Sequence, residues 1–521
     1  MAWYNSSWQY RKKLTVNATK VSADLTDYPV YVNLADLGSN FFSNVKSDGS
    51  DIVITSSNGT TKLSRELVSI DTTAQTGELH FKATSLSSST DTDFYCYYGY
   101  ASASETNDTT TWDSSFMGVW HLEESGNGTV GEFKDSTSNA NDGQGGGGTS
   151  SYVPTRVNSK IGKGQEFDGV DDYIKFGDLY ISGNITVEAW IYTHAASTEQ
   201  RPVAKRDTYV LDLYSDNKMY WEVYFSGGSS IQPSYSYSTN VWQHWVGTYD
   251  GSSAILYLNG SNVASASGSG TLNDSGYSLL FGNLELYSLF FDGVLDEVRI
   301  SNTPRSADWI STTHNNQSSP STFYTVGSQE VSNTAPDTPT NSSPSNGATG
   351  VSLTPTLQAS AFSDPDGDGH AASQWQVTTT SGDYSSPVFD SGEDATNLTS
   401  ITLSTALSSG TTYYWHVRYK DDNALPAWSD YSSETSFTTK DLRISGKVTK
   451  DGVGVQGAKL FLIDRATDTV VDTTTTDVNG DYYFSKLDSS KTYHVCVEYE
   501  SGGQKYRAES HWSITPAEVD I

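Results

Sequence analysis

Apolar and polar residues alternate with a period of two in short runs along most of the chain. Examples are Ile52-Val53-Ile54-Thr55, Phe94 to Tyr98, Ala254 to Leu258 and Tyr413 to Tyr419. Successive side chains of a strand point to opposite faces, so each run predicts a strand with one buried and one wetter side. Clusters of Gly, Asn, Asp and Ser separate the runs and supply turn chemistry. No apolar stripe of helical period lasts beyond a few turns. The expectation is an all-β protein with almost no helix beyond single turns.

Three changes of composition divide the 521 residues: a Ser/Thr/Asn run from Ala101 to Thr111, a Pro-rich stretch from Ser332 to Pro344, and a short joint from Thr438 to Asp441. They predict four tandem β-sandwich domains, 1–110, 111–331, 332–440 and 441–521, each large enough for an independent core. Aromatic residues make up 12%, with 33 Tyr, which suits twisted antiparallel sheets. Arg11-Lys12-Lys13 reads as a charged strand edge that discourages pairing with another chain.

Charge narrows the function. Lys and Arg number 31 against 62 Asp and Glu, a formal charge of −31. Duplex nucleic acid and anionic membrane are both repelled, so no nucleic-acid partner is expected. No run approaches the roughly 18 apolar residues of a membrane span, so no membrane insertion is expected either. The first residues lack the apolar core of a signal peptide. Cys96 and Cys496, each in an alternating run and far apart in the chain, are expected to be separate reduced thiols.

Four motif series carry family resemblances. Trp8 to Val16, Asp27-Tyr28-Pro29-Val30, Ser47 to Ile52 and Tyr95 to Gly99 together resemble the domain-of-unknown-function 2341 family, a β-sandwich of unassigned chemistry. Gly118 to Leu122, Gly164 to Ile174, Val187 to Ile191, Trp242-Gln243-His244-Trp245, Leu256 to Gly260 and Phe291 to Ile300 are similar to the laminin-G-like, concanavalin A-like lectin/glucanase jelly roll. Ser360 to Gly369 and Thr412 to Tyr419 resemble bacterial fibronectin type III domains, whose aromatic strand residues are core. Ile444 to Val448, Gly457 to Leu460 and Thr476 to Phe484 resemble carboxypeptidase-regulatory or transthyretin-like sandwiches. The fold class is therefore all-β, four tandem sandwiches including one concanavalin-like jelly roll.

Candidate chemistry is sparse. A glycosidase needs two carboxylates on one cleft face. Glu-x-Asp-x-x-Glu is absent, and Asp296-Glu297, as neighbours on one strand, should face opposite sides. No nucleophile elbow, zinc-protease motif or phosphate loop appears, so no catalytic residue and no enzyme activity are expected. The jelly-roll resemblance implies a structural Ca2+ held by Asp135 and Asp296, with Asp168, Asp171 and Asp172 as a second possibility. Asp364, Asp366 and Asp368 before Gly369 reproduce the opening of a calcium loop, but Trp375 stands where the bidentate acid belongs, leaving a weaker site or a plain turn. Aromatic faces cover apolar sugar surfaces, which nominates Trp221, Tyr224, Tyr235 and Tyr237 as ligand contacts.

These readings point to a non-enzymatic virion surface protein, a fibre, spike or capsid-decoration subunit resembling surface proteins of tailed viruses of bacteria or archaea. Its expected partners are host-surface carbohydrate and other virion proteins, in a homo-oligomer or multicopy array. A secreted prokaryotic cell-surface adhesin, and a polysaccharide-active enzyme, remain as alternatives.

Overall fold

The computed structural model describes residues 3–423, 426–509 and 514–519. The chain is all-β, and it divides into two compact units, Met1–Ser332 and Asn333–Ile521. Both cysteines are free and buried, one in each unit.

The first unit holds two sandwiches. In one, a four-stranded sheet ordered Tyr324–Val331, Tyr10–Val16, Thr92–Tyr98, Val53–Ser56 packs on a three-stranded sheet ordered Leu25–Asn33, Thr76–Leu86, Arg65–Asp71. Leu14, Val16, Phe94 and Cys96 from the first meet Val30, Val32, Leu79 and Phe81 from the second. Arg11 does not lie on an edge. Its strand is paired on both sides, and its guanidinium is buried against Glu330 at 2.6 Å, with the rings of Trp3 and Tyr95 each 4.4 Å away. Arg11 is thus half of an internal ion pair under an aromatic cover, because the return strand Tyr324–Val331 occupies the edge that the charges were expected to guard, while Lys13 pairs with Asp93 at 3.3 Å.

The other sandwich is the jelly roll. Its first sheet runs Ser261–Ser267, Ser253–Leu258, Trp242–Tyr249, Ile185–Thr193, Asp292–Ser301, Lys163–Asp168, Thr155–Asn158, with Phe116–Trp120 also pairing to Asp292–Ser301. Its second runs Ser230–Ile231, Lys218–Tyr224, Tyr209–Leu213, Gln200–Lys205, Leu279–Phe281, Ile174–Lys175, Gln144–Gly145. Trp120, Trp221, Trp245, Tyr209 and Tyr249 fill the space between.

Two expectations fail here. The helix Ala307–Ser318 is three turns long, capped by Ser306, whose hydroxyl accepts from the Trp309 amide at 3.1 Å. Its buried face carries Trp309 and Ile310 but also Thr312, Thr313, Asn316 and Gln317, so it has no apolar stripe to read. Nor are the first two cores independent. Trp112, Phe116, Val119, Trp309, Phe323 and Tyr324 all enter the core of the first sandwich, and Trp309 meets Tyr28 edge-on at 4.9 Å. On its other side, Ile310 packs with Val246 and Tyr257 of the jelly roll. Asn316 completes the seam: its carbonyl accepts from the Tyr31 amide (2.8 Å) and its NH2 donates to the Tyr31 carbonyl (2.9 Å), as a neighbouring strand would.

The second unit also holds two sandwiches. Asn341–Ser343, Thr356–Ala359 and Ser400–Thr402 face a sheet of Ala348–Val351, Thr435–Thr439, Thr412–Asp421, His370–Thr378 and Phe389–Asp390. Tyr413, Trp415, Val417 and Tyr419 are buried between them, as the alternating pattern requires. The last sandwich packs Asp481–Phe484, Asp441–Lys447 and Ala517–Val519 against Thr469–Thr475, Lys459–Asp464, Tyr493–Ser501 and Gln504–Glu509. Its Asp477–Asp481 turn closes on Gly480 at φ +82°, with the Asp477 carboxylate accepting from the amides of Asn479 and Asp481.

Candidate ligand-binding face

On the jelly roll's second sheet, the strand Lys218–Tyr224 sends Met219, Trp221 and Val223 into the core and Tyr220, Glu222 and Tyr224 to the other face. Its neighbour Tyr209–Leu213 likewise buries Tyr209, Leu211 and Leu213 in the core and turns Val210 and Asp212 out. The register sets Asp212 opposite Tyr220 and Glu222 opposite Val210, so two carboxylates and two tyrosines share one face of adjacent strands. Two hydroxyls converge on Glu222: Tyr214 donates to Oε1 at 3.0 Å and Tyr224 to Oε2 at 2.5 Å. Arg201 forms an ion pair with Asp212 and lies 5.2 Å from the Tyr214 ring centre. Further along, Arg206 stacks on Tyr277 (4.4 Å) and Tyr287 (4.9 Å), the latter half exposed.

Asp212 and Glu222 are buried beneath these rings. Burial pushes the Asp212 carboxyl up to about 9; Arg201 opposes the rise and Glu222 adds to it. Beyond the Arg201 ion pair, neither Asp212 oxygen has a hydrogen-bond partner. The same burial raises the Tyr224 and Tyr214 hydroxyls, with Glu222 adding to both.

The four nominated aromatics separate. Trp221 is fully buried, its ring lies against Gly247 of the facing sheet, and its N–H donates to the Thr248 carbonyl at 3.0 Å. It cannot touch a ligand, because strand alternation points it inward. Tyr237 is also core. Tyr224 stands on the outer face, and Tyr235 is 44% exposed on the edge strand Ser234–Ser236.

The nominated metal ligands separate as well. Asp135 organises a loop: Oδ1 accepts from the amides of Val119 (3.0 Å) and Thr137 (2.9 Å), Oδ2 from the Thr137 hydroxyl (2.9 Å) and the Asn141 amide (2.8 Å). Asp296 accepts from Ser159 (2.8 Å) and the Ile161 amide (2.7 Å), and burial, with Glu297 beside it, holds its carboxyl well above the ordinary range. The two share no partner, and neither joins a group of three or more close donors among the described residues. Asp364, Asp366 and Asp368 do gather, as do Asp168, Asp171 and Asp172. Asp364 Oδ1 accepts from the amides of Asp366 (2.8 Å) and Asp368 (3.3 Å), an Asx turn, while its Oδ2 has no partner. In the other group, burial and then Asp168 push Asp172 up to about 6.

Sequence reasoning missed two constellations. One is the Asp212–Glu222 pair. The other is Glu78, His80, His121 and Glu297, which converge where the two sandwiches of the first unit meet. Burial, then Glu297, pushes Glu78 up to about 8. A bulge sets Glu297 and Val298 against Ala189 alone, and Glu297 takes φ +50°, so simple alternation with Asp296 no longer applies. The Glu78-x-His80 spacing on one strand face was the available signal.

Residues 168–311 match the family model of the concanavalin A-like lectin/glucanases superfamily, and residues 436–511 that of the SdrD B-like domain. The chain is thus a multidomain, β-rich protein with a concanavalin-like domain. No curated protein matches it. Among solved structures it is similar to domain 4 of a GH43 extracellular arabinanase from Geobacillus stearothermophilus, in complex with arabinotriose, at 18% identity over 38% of this chain and 97% of that one (TM-score 0.32). It is also similar to the binding domain of Paraclostridial Mosquitocidal Protein 1, at 12% identity over 76% and 92% (TM-score 0.32). A third is the botulinum neurotoxin serotype D ligand binding domain in complex with N-acetylneuraminic acid, at 10% identity over 79% and 93% (TM-score 0.31).

Proposed function

We propose that the protein is a non-enzymatic, lectin-like binding protein of a virion surface, and that the outer face of the jelly roll's second sheet takes host-surface glycan. The observation that carries this reading is the outer face of two adjacent strands, where Tyr220 and Tyr224 stand out and the buried Glu222 accepts from Tyr214 and Tyr224: flat rings held in place for the apolar side of a sugar. The lectin/glucanase family match over residues 168–311 supports the same choice of domain. Single sugar contacts are weak, so the reading includes many copies held together with other virion proteins, where effective concentration multiplies adsorption. A secreted adhesin would use the same face. Ca2+ in the Asp364, Asp366, Asp368 turn belongs to this proposal as a structural ion.

The test is binding of the full chain to a glycan array and to host cells. Tyr224→Ala and Glu222→Gln should each lower glycan binding at least tenfold, while Tyr235→Ala should change it less than threefold. Unchanged binding in folded Tyr224→Ala and Glu222→Gln would move recognition to another sandwich.

One observation favours a second reading. Asp212 and Glu222 put two carboxyls on one face, and burial raises the Asp212 carboxyl against the pull of its Arg201 ion pair; a raised carboxyl beside a second one is what the general acid of polysaccharide hydrolysis requires. Release of reducing ends from polysaccharide, abolished by Asp212→Asn, would establish it; no release from any glycan that the protein binds would exclude it.

A further inference from the structure

Where the first sandwich meets the jelly roll, four side chains unconnected with the ligand face converge. Glu78 and His80, two apart on the strand Thr76–Leu86, project from one side of it. His121 follows the strand Phe116–Trp120, and Glu297 is supplied by the bulge in Asp292–Ser301. All four are buried, and one donor atom of each lies within 4.8 Å of the others. Glu78 Oε1 stands 2.8 Å from His80 Nε2 and 3.1 Å from His121 Nδ1, and Glu297 Oε1 also lies against His121 Nδ1. Donors around a tetrahedral ion, at bonds of about 2.0–2.1 Å, stand roughly 3.3 Å apart. The four atoms lie close enough together for small side-chain shifts to bring them round one ion.

The surroundings hold them in place. Glu297 Oε2 accepts from Arg299 (2.5 Å) and Gln317 (3.2 Å). His121 Nε2 faces Glu66 Oε2 at 3.5 Å, and the Trp112 N–H fixes that same oxygen at 2.6 Å. Carboxylates and amides behind metal-binding side chains commonly orient them in this way. Two buried polar atoms are left over, Glu78 Oε2 and His80 Nδ1, neither with a hydrogen-bond partner. Such atoms are costly in a closed interior. Two carboxylates and two imidazoles together make a donor set that suits a divalent cation. Gly162, at φ +51°, lies close by: an added Cβ would meet Glu123 Oε1 first and Glu78 Oε2 at 3.1 Å. A cleft of about 700 Å3 reaches Gly162 and Tyr31, and the Tyr31 ring lies 5.4 Å from His80.

We propose that Glu78, His80, His121 and Glu297 bind one divalent first-row transition-metal ion of the Zn2+ type, which fastens the first sandwich to the jelly roll. Two imidazole nitrogens select such an ion over Ca2+ and Mg2+, which take oxygen donors. Four protein donors close the coordination sphere, so the ion is structural.

The experiment uses the full chain carrying His494→Ala, which removes the separate His494, Cys496, Glu509 group. The protein is stripped with chelator, incubated in turn with Zn2+, Co2+, Mn2+, Ca2+ and Mg2+, and desalted, after which metal content and melting are measured. The expected result is one retained equivalent of Zn2+ or Co2+, visible Co2+ absorption bands, and a first-unit melting temperature raised by roughly 5 °C or more. Ca2+ and Mg2+ should do neither. Glu78→Gln and His121→Ala, where circular dichroism shows them folded, should retain less than a fifth of an equivalent. Should both variants misfold, the parent decides alone, since it folds and must either bind or not. No retained Zn2+ or Co2+ with unchanged melting overturns the proposal, as does an undiminished equivalent in either folded variant.

Discussion

Asn316→Ala tests the seam of the first unit most directly. The Asn316 amide satisfies both the N–H and the C=O of Tyr31, and both residues are buried, so truncation leaves two main-chain groups without partners where water has little access. Each orphaned group costs about 1–3 kcal/mol, which gives about 2–5 kcal/mol in all once partial relaxation is allowed. Asn315→Ala is the internal control: that side chain is only half-buried and makes a single bond to the Lys20 carbonyl, worth about 1 kcal/mol or less. Asn316→Asp keeps the acceptor for the Tyr31 amide but loses the donor and buries a charge, so it should fall no closer to the parent than Asn316→Ala. Urea unfolding of the full chain gives the free energies, and hydrogen exchange across Leu25–Asn33 shows where protection is lost. An Asn316→Ala change below about 0.5 kcal/mol, with the Tyr31 amide still protected, would refute the view that the helix acts as an extra strand.

Three further outcomes follow from the same structure. Asp212 binds its proton more tightly folded than unfolded, moving from 3.8 to about 9, so its contribution is complete below pH 4 and is lost as pH rises towards 9, at up to about 1.4 kcal/mol per pH unit. Asp212→Asn cannot ionise, so its urea midpoint for the first unit should fall less between pH 5 and pH 8 than the parent's; parallel falls would contradict the assignment. Trp221→Ala should destabilise the first unit by about 3–5 kcal/mol, against less than about 1 kcal/mol for Tyr235→Ala, because only the former opens a cavity in the core. Scanning calorimetry should show the two sandwiches of the first unit melting in one transition, and two separated transitions within that unit would mean that the shared core does not couple them.

What the sequence disclosed depended on how local the physics was. Alternation within a strand identified the all-β class and the buried Trp415 and Tyr413, since a strand's own neighbours decide which side faces in. The same rule, applied to Lys218–Tyr224, assigns Trp221 and Tyr224 to opposite faces once the core side is known; treating them together as sugar contacts ignored it. The Asp212–Glu222 pair was half legible. It needs only the register of a hairpin centred on Asp216, where Asn217 takes φ +62°. The helix Ala307–Ser318 was not legible, because Thr313 and Asn316 answer to Tyr28 and Tyr31, 285 residues earlier. Glu297 was hidden by its bulge, which no periodicity announces.

The strand Tyr10–Val16 lies inside its sheet only because Tyr324–Val331 comes back to pair with it. On a ribosome, the two are separated in time. Some three hundred residues must be made after the first strand before its partner exists, about 15–60 s at 5–20 residues per second. Through that interval the backbone amides and carbonyls of Tyr10–Val16 on that side have no native partner, and Arg11 waits for Glu330. The first sandwich to begin is therefore finished only after the jelly roll that follows it. A chain stalled before residue 324 would expose one open strand edge, where a second nascent copy could add its own.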